Sequence, residues 1–304
     1  MEAFKIKNGL SAKRYLGSNG TETAGSVGYD LAGASYDSKS FSIGSQAPNP
    51  QGLTFKGDGT RVYVTDRDND SVYQYSLSTA WDISTASYDS KSFSFASQDG
   101  TPVEVSFKTD GTKMFALGQV NDTIFQYTLS TAWDVSTASY DSVSFSVTAQ
   151  APAPAGMSFS ASGDKVFVSC VSNDAVYQYG LSTEWDVSTA SYSNASFDVS
   201  SQSSVPQGFF VSTDGFSFYV TDLSENIYKY NMVTAFDLNT ASYSDVFSNV
   251  SSQETDIDSL AFKSDGSKMY IVGGDNDTIY QYSTALLTQT LDLSTGTTFS
   301  FTPS

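Results

Sequence analysis

The segment RVYVTDRDNDSVYQYSLSTAWDISTASYDSKSFS at residues 61–94 decides the architecture, because it recurs twice with few changes. The copies are KMFALGQVNDTIFQYTLSTAWDVSTASYDSVSFS at 113–146 and KVFVSCVSNDAVYQYGLSTEWDVSTASYSNASFD at 165–198. Turn glycines extend the pattern to five units, 52, 52, 52 and 51 residues apart: Gly59, Gly111, Gly163, Gly215 and Gly266. A period of this length is typical of propellers and other repeat architectures.

Each copy predicts four short β-strands. The first carries apolar residues at alternate positions, such as Leu53 and Phe55, and the Asp-Gly pair that follows is a strong hairpin signal. The second strand, 62–64 in the first copy, is apolar on both faces, which indicates burial from both sides. The third reads VYQY or a variant, and the fourth is polar and rich in serine. This gradient predicts an all-β propeller of five four-stranded blades built from the 52-residue repeat.

The two ends of the chain lie outside the repeat. We assign residues 34–285 to the propeller, 1–33 to a basic N-terminal arm with an anchoring role, and 286–304 to a C-terminal strand or tail. An early copy of the fourth strand, 36–41, is expected to pair with the third strand of the last unit, which removes the open edge. The alternative is that residues 297–301 complete the fifth blade.

Composition limits the chemistry of the 304 residues. The chain has no histidine, which excludes His-based catalytic triads and His metal ligands. Cys170 is the single cysteine and cannot form an internal disulfide. The net charge of −18 argues against nucleic acid as a partner, and we expect no membrane insertion because no run of 18 apolar residues occurs. No cofactor is predicted.

Two sets of segments resemble known proteins. FKGDGTRVYVTDRDNDSVYQYSL (55–77) and SDGSKMYIVGGDNDTIYQY (264–282) resemble the YVTN and NHL repeats of β-propellers, which implies a fold and almost nothing about function. FKIKNGLSAKRYLGSNGTETAG (4–25), LDLSTGTTFSFTPS (291–304) and WDVSTASYDS (133–142) resemble segments of virion structural and tail-fibre-type proteins of marine bacteriophages.

The phage resemblance implies a non-enzymatic module carried on the virion for attachment or decoration. It implies an oligomer within an assembly, whose partners are other virion or assembly proteins and host surface glycans. The charge distribution agrees with an anchoring arm, since the first fourteen residues contain one acidic residue, Glu2, and four basic ones: Lys5, Lys7, Lys13 and Arg14. A basic arm on an acidic body can dock on an acidic neighbouring subunit, and a solvated terminus is the alternative.

The repeated Trp-Asp pairs are the candidate ligand residues. Trp81, Trp133 and Trp185 are followed in the fourth copy by Phe236. Such rings can stack on the face of a sugar, which would give a repeated lectin-like site. The alternative, which we favour, is that each ring packs under its own loop while the aspartate caps the next turn.

Catalytic and metal sites are not supported by the residue pattern. The run from Asp66 to Asp70 lacks the glycine and glutamate of an EF-hand loop, and turn chemistry explains its Asn and Asp residues equally well. The inner strands offer Glu104, with Asp258 just before Leu260, and no converging acidic pair. We therefore predict no catalytic and no metal-binding residues. A soluble carbohydrate-binding or metal-assisted hydrolytic propeller is the alternative function.

Overall fold

The computed structural model describes residues 27–287. Its strands are β1 (Val27–Ser42), β2 (Pro50–Phe55), β3 (Arg61–Asp66), β4 (Ser71–Leu77), β5 (Ala86–Ser94), β6 (Pro102–Phe107), β7 (Lys113–Gly118), β8 (Thr123–Leu129), β9 (Ala138–Ser146) and β10 (Pro154–Phe159). They continue with β11 (Lys165–Cys170), β12 (Ala175–Leu181), β13 (Ala190–Asp198), β14 (Pro206–Val211), β15 (Ser217–Asp222), β16 (Asn226–Met232), β17 (Ala241–Asn249), β18 (Ile257–Phe262), β19 (Lys268–Gly273) and β20 (Thr278–Leu287). Single 3-10 turns lie at Ile83–Thr85, Val135–Thr137, Val187–Thr189 and Leu238–Thr240.

Residues 27–287 fold into five antiparallel four-stranded sheets, each one blade of a propeller. Blades one to four use consecutive strands, from β2–β5 to β14–β17, and the fifth has the order β18-β19-β20-β1. The inner strands β2, β6, β10, β14 and β18 contact one another around the axis. The predicted five-bladed all-β propeller is confirmed. Within the same residues, no helix has the length and apolar character needed to cross a membrane.

The ring closes through its N-terminal strand, as expected. In β1, Tyr36 pairs with Tyr282 of β20 and Phe41 pairs with Ile279. Because β1 begins at Val27, residues 27–33 belong to the outer strand of blade five, and the predicted end of the arm at residue 33 lies too far along the chain. Residues 297–301, the alternative closing strand, lie outside the described part of the chain, as do the tail residues 288–304.

The core lies between neighbouring blades. One apolar cluster joins Val103 and Phe115 of blade two to Met157 and Val166 of blade three. The second strand of each blade is buried on both faces, as its double apolar pattern predicted, and Tyr63 is fully buried. Cys170 is a free, buried thiol in β11.

Glutamines on the third strands tie most blades to the next one. Each side-chain oxygen accepts a hydrogen bond from the backbone N–H that starts the neighbour's 3-10 turn: Gln74 with Val135, Gln126 with Val187, Gln178 with Leu238, and Gln281 with Ile83. In blade four Lys229 stands at this position and donates to the carbonyl of Tyr29 at 3.0 Å. Burial lowers the pKa of Lys229.

Candidate functional site

Each of the repeated aromatic rings covers the turn glycine of its own blade. A Cβ atom built on Gly59 would lie 2.3 Å from the ring of Trp81, so only glycine fits beneath the ring. The same relation joins the other pairs: Gly111 with Trp133, Gly163 with Trp185, and Gly215 with Phe236. The turn glycines have positive φ, which suits glycine. These rings therefore lie one per blade, over separate hairpin turns.

Backbone contacts hold these rings in place. The N–H of Trp81 donates to the carbonyl of Gly59 at 3.0 Å, and the hydroxyl of Tyr270 on the neighbouring blade donates to the carbonyl of Trp81 at 2.7 Å. The ring of Trp81 stacks on Phe55 with centroids 5.3 Å apart. Trp185 is 8% exposed. Each ring is thus held by packing, and Asp82 accepts from the N–H of Ser84 to cap the next turn. Trp81 and Trp185 also line one cavity, together with Phe55 and Phe159.

Tyr29 fills the same place in blade five and was missed by the sequence analysis. Its ring lies over Gly266, and its N–H donates to the carbonyl of that glycine at 2.9 Å. A signal was present, because Tyr29 precedes Tyr36 by the same interval that separates Trp81 from Tyr88. The sequence alone did not connect Tyr29 with the turn glycine that it covers, because the two residues lie some 240 positions apart.

Glu104 occupies the channel axis. At its level the other inner strands carry Gly52, Gly156, Gly208 and Ser259, and a Cβ on Gly52 would lie 2.8 Å from a carboxyl oxygen of Glu104. That carboxyl accepts hydrogen bonds from the N–H of Val105 at 2.9 Å and from Ser259 Oγ at 3.1 Å. Burial raises the pKa of Glu104 well above its usual range, although both hydrogen bonds oppose the shift. One buried carboxyl group therefore lies at this level, where the other inner strands carry three glycines and a serine.

The two ends of the channel differ in chemistry. Glu104 forms part of the floor of a cavity of about 220 Å³ whose wall includes Phe55, Phe107, Phe159 and Phe262. The opposite end is a wider cavity of about 400 Å³, which we call the polar mouth. It is lined by Asn49, Gln51, Arg67, Gln119, Ala153, Val171, Gln207, Leu223, Asp256 and Asp258. Asp258 therefore does not share a cavity with Glu104.

The polar mouth is where the five copies diverge most. One ring position carries Asn49, Thr101, Ala153, Val205 and Asp256, and a second carries Gln51, Val103, Ala155, Gln207 and Asp258. A third, just after the second strand, carries Arg67, Gln119, Val171, Leu223 and Gly274. Blades five, one and two supply charges and amides to the lining, whereas blade three supplies small apolar residues. The mouth is thus polar on one side and apolar on the other.

Acidic groups dominate the blade-five side of the polar mouth. Burial, together with the charges of Asp256 and Glu254, raises the pKa of Asp258 to about 8, while the N–H of Gly274 and the charge of Arg67 oppose that shift. Burial also raises the pKa of Glu254 and of Asp256, and the charge of Asp275 adds to both. Sequence reasoning named Asp258 but missed this cluster, because its four members occupy four different positions of the repeat.

The other predicted positions carry no cluster of ligands. Asp66 accepts hydrogen bonds from the N–H groups of Asn49 at 2.7 Å and Asn69 at 2.8 Å, so its carboxylate anchors turns. Within residues 27–287, no group of three or more acidic or cysteine side chains is arranged to hold a metal ion. The candidate anchor residues Lys5, Lys7, Lys13 and Arg14 lie outside the described residues.

Comparisons with known proteins assign no family to the chain. No protein-family model and no curated protein matches the chain. Similar solved structures include a "putative 6-phosphogluconolactonase" from Bacteroides uniformis ATCC 8492, which is 16% identical with a TM-score of 0.49 over 83% of this chain and 70% of that chain. A "putative 6-phosphogluconolactonase" from Bacteroides fragilis NCTC 9343 is 11% identical, with a TM-score of 0.46 over 83% and 71% of the two chains.

A "functionally unknown protein" from Desulfotomaculum acetoxidans DSM 771 is 12% identical, with a TM-score of 0.45 over 83% of this chain and 68% of that chain. At such identities and TM-scores these likenesses carry no argument about the activity of this chain. Nothing in these likenesses links the chain to virion proteins.

Proposed function

We propose that this chain is a non-enzymatic binding and interaction module whose polar mouth takes a glycan. The observation that carries the proposal is the divergence of the repeat around that mouth. Positions that serve the fold, such as the turn glycines, are alike in every copy, whereas three rings of residues at one end of the channel are not. A ligand without fivefold symmetry requires such divergence, and concave sites with a few convergent polar groups are the usual ligand sites.

The lining suits a polyhydroxylated ligand. Amides such as Gln51 and Gln207 both donate and accept hydrogen bonds, and carboxylates accept from hydroxyl groups, so together they match sugar hydroxyls. The opposite wall, with Ala153 and Val171, offers an apolar surface for the C–H face of a sugar ring. A volume of about 400 Å³ accommodates one or two sugar units.

The channel chemistry favours binding over catalysis. The carboxyl group of Glu104 is buried and hydrogen-bonded, and Asp258 lies at the other end of the channel in a separate cavity. Hydrolysis is the second candidate, because an acid such as Asp258 with a pKa of about 8 retains the proton that a general acid donates. Glycoside hydrolysis uses two carboxyl groups that flank the scissile bond, and Glu104 does not share the cavity of Asp258.

Glycan binding is tested on an array with the purified chain. The double substitution Gln51→Ala and Gln207→Ala removes two amides from the mouth, and we expect at least a tenfold weaker binding of the ligands found, since two unreplaced hydrogen bonds cost about 1–3 kcal/mol. Gln150→Ala, on the loop before blade three and outside the lining, is the matched control. Equal binding by all three proteins, or release of reducing ends from the bound glycans, would contradict the proposal.

The proposed location is the virion, with the basic arm as the anchor. It is supported by the resemblance of segments 4–25, 133–142 and 291–304 to virion proteins and by the local charge of the arm. Antibody labelling of the native particle tests the location. Deletion of residues 1–26, which leaves β1 and Tyr29 intact, tests the anchor, and undiminished incorporation of the shortened chain would refute it.

A further inference from the structure

The end of the channel opposite the polar mouth is an apolar cavity that the proposed glycan function does not use. We call it the aromatic cup, because every blade contributes a phenylalanine to its lining: Phe55, Phe107, Phe159, Phe210 and Phe262. Its volume is about 220 Å³, and an apolar cavity of about 150 Å³ already accepts benzene. The aromatic cup therefore has room for one aromatic ring with a small substituent.

One position of the repeat changes its chemistry inside the aromatic cup. It lies in the middle of the inner strand, opposite an aromatic residue of the second strand. Blades one to five carry there, in order, Thr54, Ser106, Ser158, Phe210 and Ala261. Phe210 is half-buried, and its ring centroid lies 5.2 Å from that of Phe262. Four copies fold with a small side chain at this position, so the strand itself does not require a ring.

Packing beside Tyr29 does not account for Phe210 either. Tyr29 covers its turn glycine where three other blades have the larger tryptophan, and its ring centroid lies 6.3 Å from that of Phe210. Blade four has the same deficit, since Phe236 replaces tryptophan there and lies against Phe167 of blade three. The residue paired with Phe167 is nonetheless Ser158. Phe210 therefore adds to the aromatic cup an apolar surface that the fold omits in an equivalent place.

The polar groups on the wall of the aromatic cup are hydroxyl groups on the side of blades one to three. They belong to Thr54, Ser106 and Ser158, which are half-buried. In the described part of the chain their one hydrogen-bond partner is the N–H of Val211, which donates to Ser158 Oγ at 3.4 Å. Glu104 in the floor is the one ionisable side chain of the described lining, and burial raises its pKa, which favours the neutral form. A charged ligand would lose its water here without meeting an opposite charge, whereas a neutral polar group can hydrogen-bond to the hydroxyl groups.

We propose that the aromatic cup binds a small, neutral aromatic molecule with one polar substituent. The ring of the ligand packs on Phe210 and Phe262, and the substituent forms hydrogen bonds with the hydroxyl groups on blades one to three. A sugar suits the aromatic cup less well, because its hydroxyl groups point in all directions and would face Phe210, Ala261 and Phe262 without a partner. The aromatic cup is thus a second site, distinct from the polar mouth in place and in ligand.

The test uses three probes of nearly the same shape, namely benzamide, benzoate and benzamidinium. Near neutral pH the first is uncharged, the second is negative and the third is positive. Titration of the full chain, followed by ligand-observed NMR, measures their dissociation constants. We expect benzamide to bind at least tenfold more tightly than either ion, because each ion must give up its hydration. If either ion binds as tightly as benzamide, or if benzamide at millimolar concentration does not bind, the inference is wrong.

Three variants locate the bound probe. Phe210→Ser gives blade four the side chain that blades two and three carry, and it should weaken benzamide binding at least tenfold. Phe247→Ser, the same change at a 54% exposed residue on the outer strand of blade four, is the matched control and should bind benzamide like the natural chain. Ser106→Phe places a second ring in the aromatic cup and should exclude benzamide while Phe210 stays in place. Thermal unfolding shows that each variant is folded, and unchanged binding in both Phe210→Ser and Ser106→Phe would overturn the inference.

The variant in which Gln51 and Gln207 are replaced by alanine separates this site from the glycan site. Both glutamines line the polar mouth and neither lines the aromatic cup, so benzamide binding should be unchanged in this variant. A loss of benzamide binding there would place the probe in the polar mouth, and the inference would be wrong. If benzamide binds in a Phe210-dependent way while the glycan array stays blank, the aromatic site stands and the glycan function falls.

Discussion

Blades three and five share their strands and hairpin turns, yet they present opposite chemistry to the polar mouth. Blade three contributes Ala153 and Val171 to its lining, where blade five has Asp256 and Gly274. At one hairpin turn the two blades agree, because an aromatic ring covers the turn glycine in each. Trp185 covers it in blade three, and Tyr29 covers it in blade five.

This contrast separates two kinds of position in one repeat. The ring over the turn is kept even where the chain must supply it from its distant N-terminal strand, so the fold requires it. The mouth positions change from alanine to aspartate without altering the backbone around them, so the fold does not require them. Substitutions at the first kind should cost stability, and those at the second should change binding.

Removal of a covering ring should have the largest effect. Trp133→Ala empties the space over Gly111 and removes contacts with Phe107 and Tyr63, so we expect a loss of about 3–5 kcal/mol in the free energy of unfolding. Denaturant unfolding followed by fluorescence measures it. Glycan affinity of the fraction that remains folded should be unchanged. A stable variant that loses sugar binding would instead make Trp133 a ligand residue.

Two glutamines in blade two provide the next comparison. Gln126 is 3% exposed and accepts the N–H of Val187 in the next blade, whereas Gln119 lines the polar mouth. Gln126→Ala leaves that buried N–H unpaired, which should cost about 1–3 kcal/mol. Gln119→Ala should cost less than Gln126→Ala, because its amide gives up a part-buried bond to the carbonyl of Pro154. Thermal unfolding of the two variants side by side checks the order, and the reverse order would contradict the division.

The features that repeat are the ones that the sequence predicts well. The turn glycines, the doubly apolar strand and the early strand around Tyr36 led to the five-bladed ring and its closure, because each is a local pattern that returns at a fixed interval. The start of β1 was placed too late because Val27 to Gly33 lacks the serine-rich pattern of the other outer strands.

The candidate site could not be found in the same way. Asp256 and Arg67 lie at different positions of the repeat and almost 190 residues apart, and they become neighbours only when the ring closes. Divergence at single positions was visible in the copies. That divergence points to a site only because three of the divergent positions border one cavity. The order and register of the inner strands bring them together there.

The raised pKa of Asp258 predicts how the free energy of unfolding changes with pH. Its pKa of about 8 in the folded chain lies above the ordinary value of about 3.9, so between these values the folded state holds a proton that the unfolded chain has lost. The free energy of unfolding should therefore fall as the pH rises through this range. Asp258→Asn keeps this site neutral, so its free energy of unfolding should match that of the natural chain near pH 4 and exceed it at pH 9.

Urea unfolding at a series of pH values measures this difference. The charges that face Asp258 are Asp256 and Glu254 on its own blade and Arg67 on blade one, so a smaller slope should remain in Asp258→Asn from the first two. Parallel stability curves for the two proteins between pH 4 and 9 would show that Asp258 is not a buried, protonated acid.

The smallest change should come from giving blade three the chemistry of blade five. Ala153→Asp places a carboxylate at the position equivalent to Asp256, on a partly exposed residue, so the free energy of unfolding should change by no more than about 0.5 kcal/mol. A carboxylate on the wall formed by Ala153 and Val171 should weaken the binding of the glycans found on the array by about two- to fivefold, because a charge must lose its water to meet the C–H face of a sugar ring. Calorimetry measures the change in affinity, and thermal unfolding measures the change in stability. A large loss of stability would mean that alanine at this position serves the fold, and the difference between blades three and five would then reflect packing and not ligand recognition.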